Sequence, residues 1–269
     1  MQDILYLCVK LEIHMLQYIE LLHQFKIFEL KDIITLTGKK RSGQELLRNY
    51  AKRGLVVQIR RNLYSVTDLA TKATVATKYE IGSHISSSSY ISYHSALEYH
   101  GIAHQVFYNL SVSSNTRFND FDFEEMHYAY CNSNIPAGIE TLSMDSLVRV
   151  TDLERTIVDC LDRIDRAGGL EEFIHSLAMI TYLDENKLLA YLSGYNKSFL
   201  YKKVGFVLQL FQNELKLNPD FIAFCHQKGS AHVKYLTDAE ESDTFYKDWN
   251  IYAPQNILSY LEQGNNERV

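Results

Sequence analysis

Between Lys39 and Arg61 the sequence carries eight basic residues, Lys39, Lys40, Arg41, Arg48, Lys52, Arg53, Arg60 and Arg61, against one acid, Glu45. Such a density suits contacts to phosphate oxygens, which set affinity and register, and arginine or glutamine on a helix can read purine edges in the major groove. Gln44 and Arg48 are the candidates for base contacts. Lys39, Lys40, Arg41, Lys52, Arg60 and Arg61 are the candidates for phosphates, with Ser42 at the same helix start. The competing explanation of any charge run is a solvated face.

Other residue types that do chemistry are less well placed. His94, His100 and His104 are six and four residues apart, but Gly101 interrupts the second spacing and no carboxylate or cysteine completes a ligand set. Ordinary histidines are expected there, and no metal. Asp152, Glu154, Asp159 and Asp162 invite a metal-dependent nuclease reading. Helix capping accounts for Asp152, and Arg155, Arg163 or Arg166 can pair with Asp159 and Asp162. The sequence has no phosphate-cradling loop, dinucleotide fingerprint, zinc-hydrolase helix or nucleophile elbow. No catalytic residue and no cofactor are therefore expected.

The elements that must position the basic residues are legible in order. Leu11, Met15, Tyr18, Ile19 and Leu22 recur at helical spacing, and a second short helix over Phe28–Ile34 is stopped by Gly38. Ser42-Gly43-Gln44-Glu45 fits a capping box and places the start of a third helix near Gly43, with Leu46, Leu47, Tyr50 and Ala51 on one face and Gly54 as its stop. Two β-prone runs follow around Arg60-Arg61-Asn62, where asparagine tolerates the positive φ of a hairpin turn. Three helices with a basic third, then a hairpin with arginines at its tip, is the order of a winged helix-turn-helix.

Lys72–Ser89 holds few large apolar residues and reads as a connection, which puts the boundary between the two units within 66–90, and Tyr90–Gly101 beyond it reads as a helix. Val106–Ser113, Met126–Asn132 and Leu147–Val150 read as strands, and a helix capped by Thr151 or Asp152 runs to about Arg163. Helical patterns near 170–180, 185–193 and 198–216 and a late strand over 231–237 complete an α+β chain. Its expected parts are a DNA-binding unit over 1–80 and a larger mixed unit over 81–269 with a helical C-terminal part.

The 269 residues exclude a single small module, and 46% hydrophobic with 22% charged residues excludes broad disorder. The net charge of −6 taken alone disfavours nucleic acid. Its distribution does not: residues 1–70 hold 11 basic and 7 acidic side chains, leaving 16 basic and 26 acidic in the remainder. Four scattered cysteines form no C-x-x-C, and charges interrupt the apolar N-terminus, so reduced thiols, a cytoplasmic location and no membrane partner are expected.

Three segments together resemble the AbiEi family, the antitoxin component of the abortive-infection E system. They are the N-terminal helices ending in an arginine-rich turn and Leu63-Tyr64, the run Tyr90-Ile91-Ser92-Tyr93-His94-Ser95-Ala96-Leu97-Glu98-Tyr99-His100-Gly101, and Val150-Thr151-Asp152-Leu153-Glu154-Arg155-Thr156-Ile157-Val158-Asp159-Cys160-Leu161. Arg61-Asn62-Leu63-Tyr64 stands where the family carries Arg-Gly-x-Tyr. The resemblance implies a type IV toxin–antitoxin partner that represses its own operon through double-stranded operator DNA with inverted repeats and opposes a nucleotidyltransferase-like toxin. The motif residues Ser95, Ala96, Leu97, His100, Gly101, Asp152, Glu154, Arg155, Thr156 and Asp159 are expected to be structural. The alternative is a regulator without a toxin partner, whose larger unit senses a small ligand.

Overall fold

The computed structural model describes residues 18–133, 135–143 and 147–263. Leu11 and Met15 of the first predicted helix lie outside them. Tyr18, Ile19 and Leu22 fall on its described part, α1 (18–25), which buries Ile19 and Leu22. Strand β1 (Ile27–Glu29) then pairs antiparallel with β3, correcting the expectation that Phe28 and Glu29 begin a helix. Helix α2 is Leu30–Thr37, and Gly38 ends it in the left-handed conformation at φ 70°.

Because the Gly38 turn is so short, α3 (Lys40–Lys52) starts at once, with Lys39 at its N-cap. The expected capping box at Ser42 and Glu45 is thus overturned: both lie inside the helix. Strands β2 (Val56–Arg60) and β3 (Leu63–Val66) form the anticipated hairpin, with Asn62 at φ 66°, and the small sheet runs β1-β3-β2. Leu22, Phe28, Ile33, Leu47, Tyr50, Val56 and Val66 fill the core between this sheet and its helices.

Helix α4 (Lys78–His84) carries a capping box of its own, Thr77 with Glu80. It lies across a six-stranded mixed sheet of order β6-β7-β5-β4-β9-β8. The strands are β4 (Tyr90–Ile91), β5 (Asn109–Ser114), β6 (Phe121–Phe123), β7 (Met126–Asn132), β8 (Ile139–Ser143) and β9 (Leu147–Thr151). A Cβ on Gly82 would stand 2.7 Å from Ile91 and 2.9 Å from Leu110, so glycine lets α4 seat closely. One apolar cluster joins Ile27, Ile59 and Leu63 of the first unit to Ile81, Ile91, Leu110 and Val150.

The expected helix over Tyr90–Gly101 is shorter than read. Tyr90 and Ile91 form β4, and Tyr93 turns sharply at φ 55° before α5 (His94–Tyr99). α5 touches α4, where Lys78 pairs with Glu98 and Tyr79 meets the Tyr99 ring, and α6 (Leu153–Asp162) packs on α5, followed by α7 (Leu170–Ala178), α8 (Glu185–Tyr195), α9 (Ser198–Gln209) and α10 (Pro219–Lys228) around a second core. The predicted helix to residue 216 ends as α9 at Gln209. The late strand is only Lys234–Tyr235, β10, in a small sheet with β11 (Thr244–Tyr246) and β12 (Ile251–Ala253). The chain is α+β.

Candidate nucleic-acid interface

Helix α3 presents two opposed faces. Gly43, Leu47 and Tyr50 are buried, and a Cβ on Gly43 would meet Thr37 Oγ1 at 3.1 Å and Ile34 at 3.2 Å, so α3 lies tight on α2. On the opposite face, at helical spacing, Arg41, Gln44, Arg48 and Lys52 are all exposed. Arg48 Nε donates to the Gln44 carbonyl at 3.3 Å, which leans its side chain along the helix. Among the described residues, no carboxylate makes an ion pair with Lys39, Lys40, Arg41, Arg48, Lys52 or Arg61. Ser42, also exposed, stands in the first turn of α3. This is a cationic face whose charges are left for solvent or a polyanion.

The hairpin tip is divided. Arg61 is exposed at the turn. Arg60, expected to hold phosphate, instead lies with its guanidinium 5.5 Å from the Phe118 ring and 5.0 Å from the Phe121 ring. It is half-buried, and burial pulls its pKa down. Cation–π attraction therefore ties the hairpin to the β5–β6 region of the larger sheet, and Lys26 Nζ adds an ion pair to Glu80 Oε1 at 3.0 Å. A charge run cannot reveal that two phenylalanines some sixty residues away will claim one of its members.

The two later motifs meet at the α5–α6 contact. Ser95 Oγ accepts from the Ser111 N–H at 2.8 Å, Ala96 and Leu97 are fully buried, and His100 Nε2 bonds the Thr151 carbonyl at 2.8 Å. Gly101 supplies φ 73° after the helix. Asp152 caps α6 by accepting from the Arg155 N–H, and also takes bonds from Lys187 at 3.1 Å and Tyr191 at 2.5 Å. Glu154 accepts from the Asp184 N–H, and Thr156 Oγ1 donates to the Asp152 carbonyl.

Arg155 is 1% exposed and donates to Asp159 at 2.5 Å and to the carbonyls of Ile135 and Ala137. Burial opposes its charge, but Asp159 beside it outweighs that and raises its pKa. Burial pushes Asp159 above the ordinary carboxylate value, partly offset by Arg155 and by the Tyr195 hydroxyl. Asp162 pairs with Lys197, and Arg163 with Asp165, rather than with each other. The four carboxylates are committed to internal donors, and no group of three metal-ligating side chains converges among the described residues.

Two groups, the half-buried Arg149 and the buried Glu172, carried no signal in the sequence. Arg149 donates to the carbonyls of Ser83, Ser86 and Ser89, anchoring the serine run to β9. Glu172 receives His94 Nε2 at 3.1 Å and the N–H groups of His104 and Gln105. Beside it opens a cleft of about 710 Å³ lined by His94, Asn109, Ser111, Asp120, Tyr130 and Arg166. His104 stacks on His175 with centroids 4.2 Å apart.

No family model matches the chain, and no curated protein matches it. Among solved structures it is similar to the RV2827C protein from Mycobacterium tuberculosis, with a TM-score of 0.65 and 12% identity over 89% of each chain. At that identity the likeness is one of fold. No helix among the described residues is long and apolar enough to cross a membrane.

Proposed function

We propose that the first unit is a winged helix-turn-helix that binds operator DNA. In this reading α3 enters the major groove, Gln44 and Arg48 face base edges, and Arg41, Lys52 and Arg61 hold phosphates, with Lys39 and Lys40 at the helix start. The single observation that carries it is the exposed stripe Arg41, Gln44, Arg48 and Lys52, unpaired and opposite the buried Gly43, Leu47 and Tyr50. Arg60 is assigned to fixing the hairpin, not to phosphate.

The wider role rests on the resemblance of the three motifs: a cytoplasmic antitoxin that represses its own operon and, through the larger unit, opposes a nucleotidyltransferase-like toxin. No catalytic step is assigned to the chain. Co-expression with a nucleotidyltransferase encoded beside it tests the toxin half. Growth rescue by the full chain and not by 1–80 supports it, and rescue by 1–80 alone overturns it. Operator binding tests the other half: Arg48→Ala relaxes sequence preference by about 1–3 kcal/mol at one base position.

A second reading, a ligand-responsive repressor without a toxin, is favoured by one feature, the polar cleft beside Glu172. A small molecule that binds this cleft and changes operator affinity, with no toxin gene adjacent, would establish it.

A further inference from the structure

We propose that the cleft beside Glu172 binds a flat nitrogen heterocycle by its exocyclic amino group, the chemistry of a nucleobase, with His94 Nδ1 as the acceptor. The proposal rests on the ligand-responsive reading of that cleft and gives its ligand a chemical class. At about 710 Å³ the cleft falls within the roughly 300–1,000 Å³ typical of small-molecule sites. Its floor is one face of the larger sheet: Asn109 and Ser111 on β5 stand in register with His127 and Ala129 on β7, and alternate residues share a face. His94 and Phe107 line it side by side, their ring centroids 4.4 Å apart.

The observation that points to a ligand is an orphaned atom. His94 is 4% exposed, and its Nδ1 is buried with no hydrogen-bond partner among the described residues. Buried polar atoms are nearly always paired, so an unpaired one on a residue lining a cleft calls for an explanation. The state of Nδ1 follows from the other ring nitrogen. Nε2 meets Glu172 Oε1 at 3.1 Å, and that oxygen also accepts from the N–H groups of His104 at 2.8 Å and Gln105 at 3.1 Å. Against its burial, these donors hold Glu172 below its ordinary pKa, so the carboxylate is ionised at neutral pH and the proton between the two groups sits on Nε2. The neutral imidazole then presents a bare lone pair at Nδ1, and the occupant must supply the donor.

The charged groups of the lining agree with a donor. Arg166 spends its guanidinium internally, donating from Nη1 to the Tyr130 carbonyl at 3.5 Å and lying 5.6 Å from the Tyr93 ring centroid. Asp165 is paired with Arg163. Asp120 accepts from the Tyr130 N–H at 2.8 Å through Oδ1, which leaves its second oxygen for an incoming donor. An anionic ligand would meet these carboxylates with Glu172 behind His94, and like charges repel. The His94 and Phe107 rings, with the exposed Tyr108 also in the lining, offer faces on which a flat ring stacks.

The test titrates the full chain, without DNA, with nucleoside pairs that carry or lack the exocyclic amino group: adenosine and purine riboside, guanosine and inosine, cytidine and uridine. Saturable binding of at least one amino-bearing nucleoside is expected, tighter than its pair by about tenfold or more, because a site built to accept a donor rejects the analogue that lacks it. Ala129→Leu fills the floor, leaves His94 and Glu172 in place, and should weaken that binding by about tenfold or more. His94→Phe keeps a ring beside Phe107 without an acceptor and should erase the preference within the pair. Where thermal melts show His94→Phe unfolded, Ala129→Leu and the preference of the parent decide. No saturable binding of an amino-bearing nucleoside, equal binding by Ala129→Leu, no preference in the parent, or a preference that survives in a folded His94→Phe overturns the proposal. Operator affinity is measured separately, so a nucleoside that binds the cleft without changing it refutes the regulatory reading and not the site.

Discussion

Replacing Arg155 by methionine isolates the buried centre of the larger unit. The substitution keeps an unbranched, helix-favouring side chain but removes the donors to Asp159, Ile135 O and Ala137 O. Asp159, 1% exposed, then keeps the hydrogen bond from the Tyr195 hydroxyl but no cation beside it. Breaking a buried pair by removing one partner costs about 3–5 kcal/mol, which for a unit of this size lowers Tm by roughly 6–20 °C. The sign of the pH dependence follows from Asp159. Its folded pKa is already raised by burial, and without the guanidinium it rises further, so the penalty is largest at neutral pH and shrinks as pH falls and the carboxyl protonates. Adding Asp159→Asn should recover about 1–2 kcal/mol of the loss. Urea unfolding of the parent, both single variants and the double variant at two pH values measures all of this. A cost for Arg155→Met below about 1 kcal/mol, or a double variant no better than the single, refutes the reasoning.

Three further perturbations follow from particular contacts. Glu172 titrates below its ordinary value because the His94 bond and two backbone N–H groups outweigh its burial. Its stabilisation is therefore complete above the model-peptide range and is lost as pH falls through the depressed folded value. Glu172→Gln should flatten that acid limb in thermal melts, and an unchanged limb would contradict the assignment. Gly205 sits where a Cβ would lie 2.7 Å from Cys225 Cβ and would also crowd the Trp249 ring. Gly205→Ala should cost about 1–3 kcal/mol by overpacking and shift the emission of Trp249, the chain's one tryptophan; unaltered emission and Tm would sink this. At Asn62, φ 66° leads to the expectation that glycine is accepted while valine costs about 1–2 kcal/mol, read from denaturant midpoints.

Where one residue carries a backbone instruction, the sequence was legible. Gly38 stops α2, Asn62 turns the hairpin and Asp152 caps α6, as their side chains dictate. The same local pattern at Ser42 and Glu45 lies inside α3 and caps nothing, while Thr77 and Glu80 form a real box in a stretch with little apolar periodicity to mark a helix. Asn218 before Pro219 is a comparable local start signal, for α10. Short strands were harder. β1 and β4 have three and two residues, and neither is set off from the next helix by a glycine or proline, so only pairing with β3, or with β5 and β9, marks them. At the candidate site, helical spacing put Gln44, Arg48 and Lys52 on one face, while Arg41 joins them only because α3 starts at Lys40 rather than near Gly43. The fate of Arg60 depended on Phe118 and Phe121, and that is tertiary information.

The central claim is that α3 meets DNA with its unpaired cationic stripe. The most direct measurement is the salt dependence of binding to DNA from the chain's own promoter, for the parent, for Arg41→Ala/Arg48→Ala/Lys52→Ala, and for Arg60→Ala. Each phosphate contact contributes about 0.9 to the slope of log K against log salt, so a lost phosphate contact lowers the slope by about that much. The account predicts a slope shallower by about 2 to 3 in the triple variant, the range reflecting whether Arg48 meets bases or phosphate, and an essentially unchanged slope in Arg60→Ala. Parent-like affinity and slope in the triple variant would contradict it.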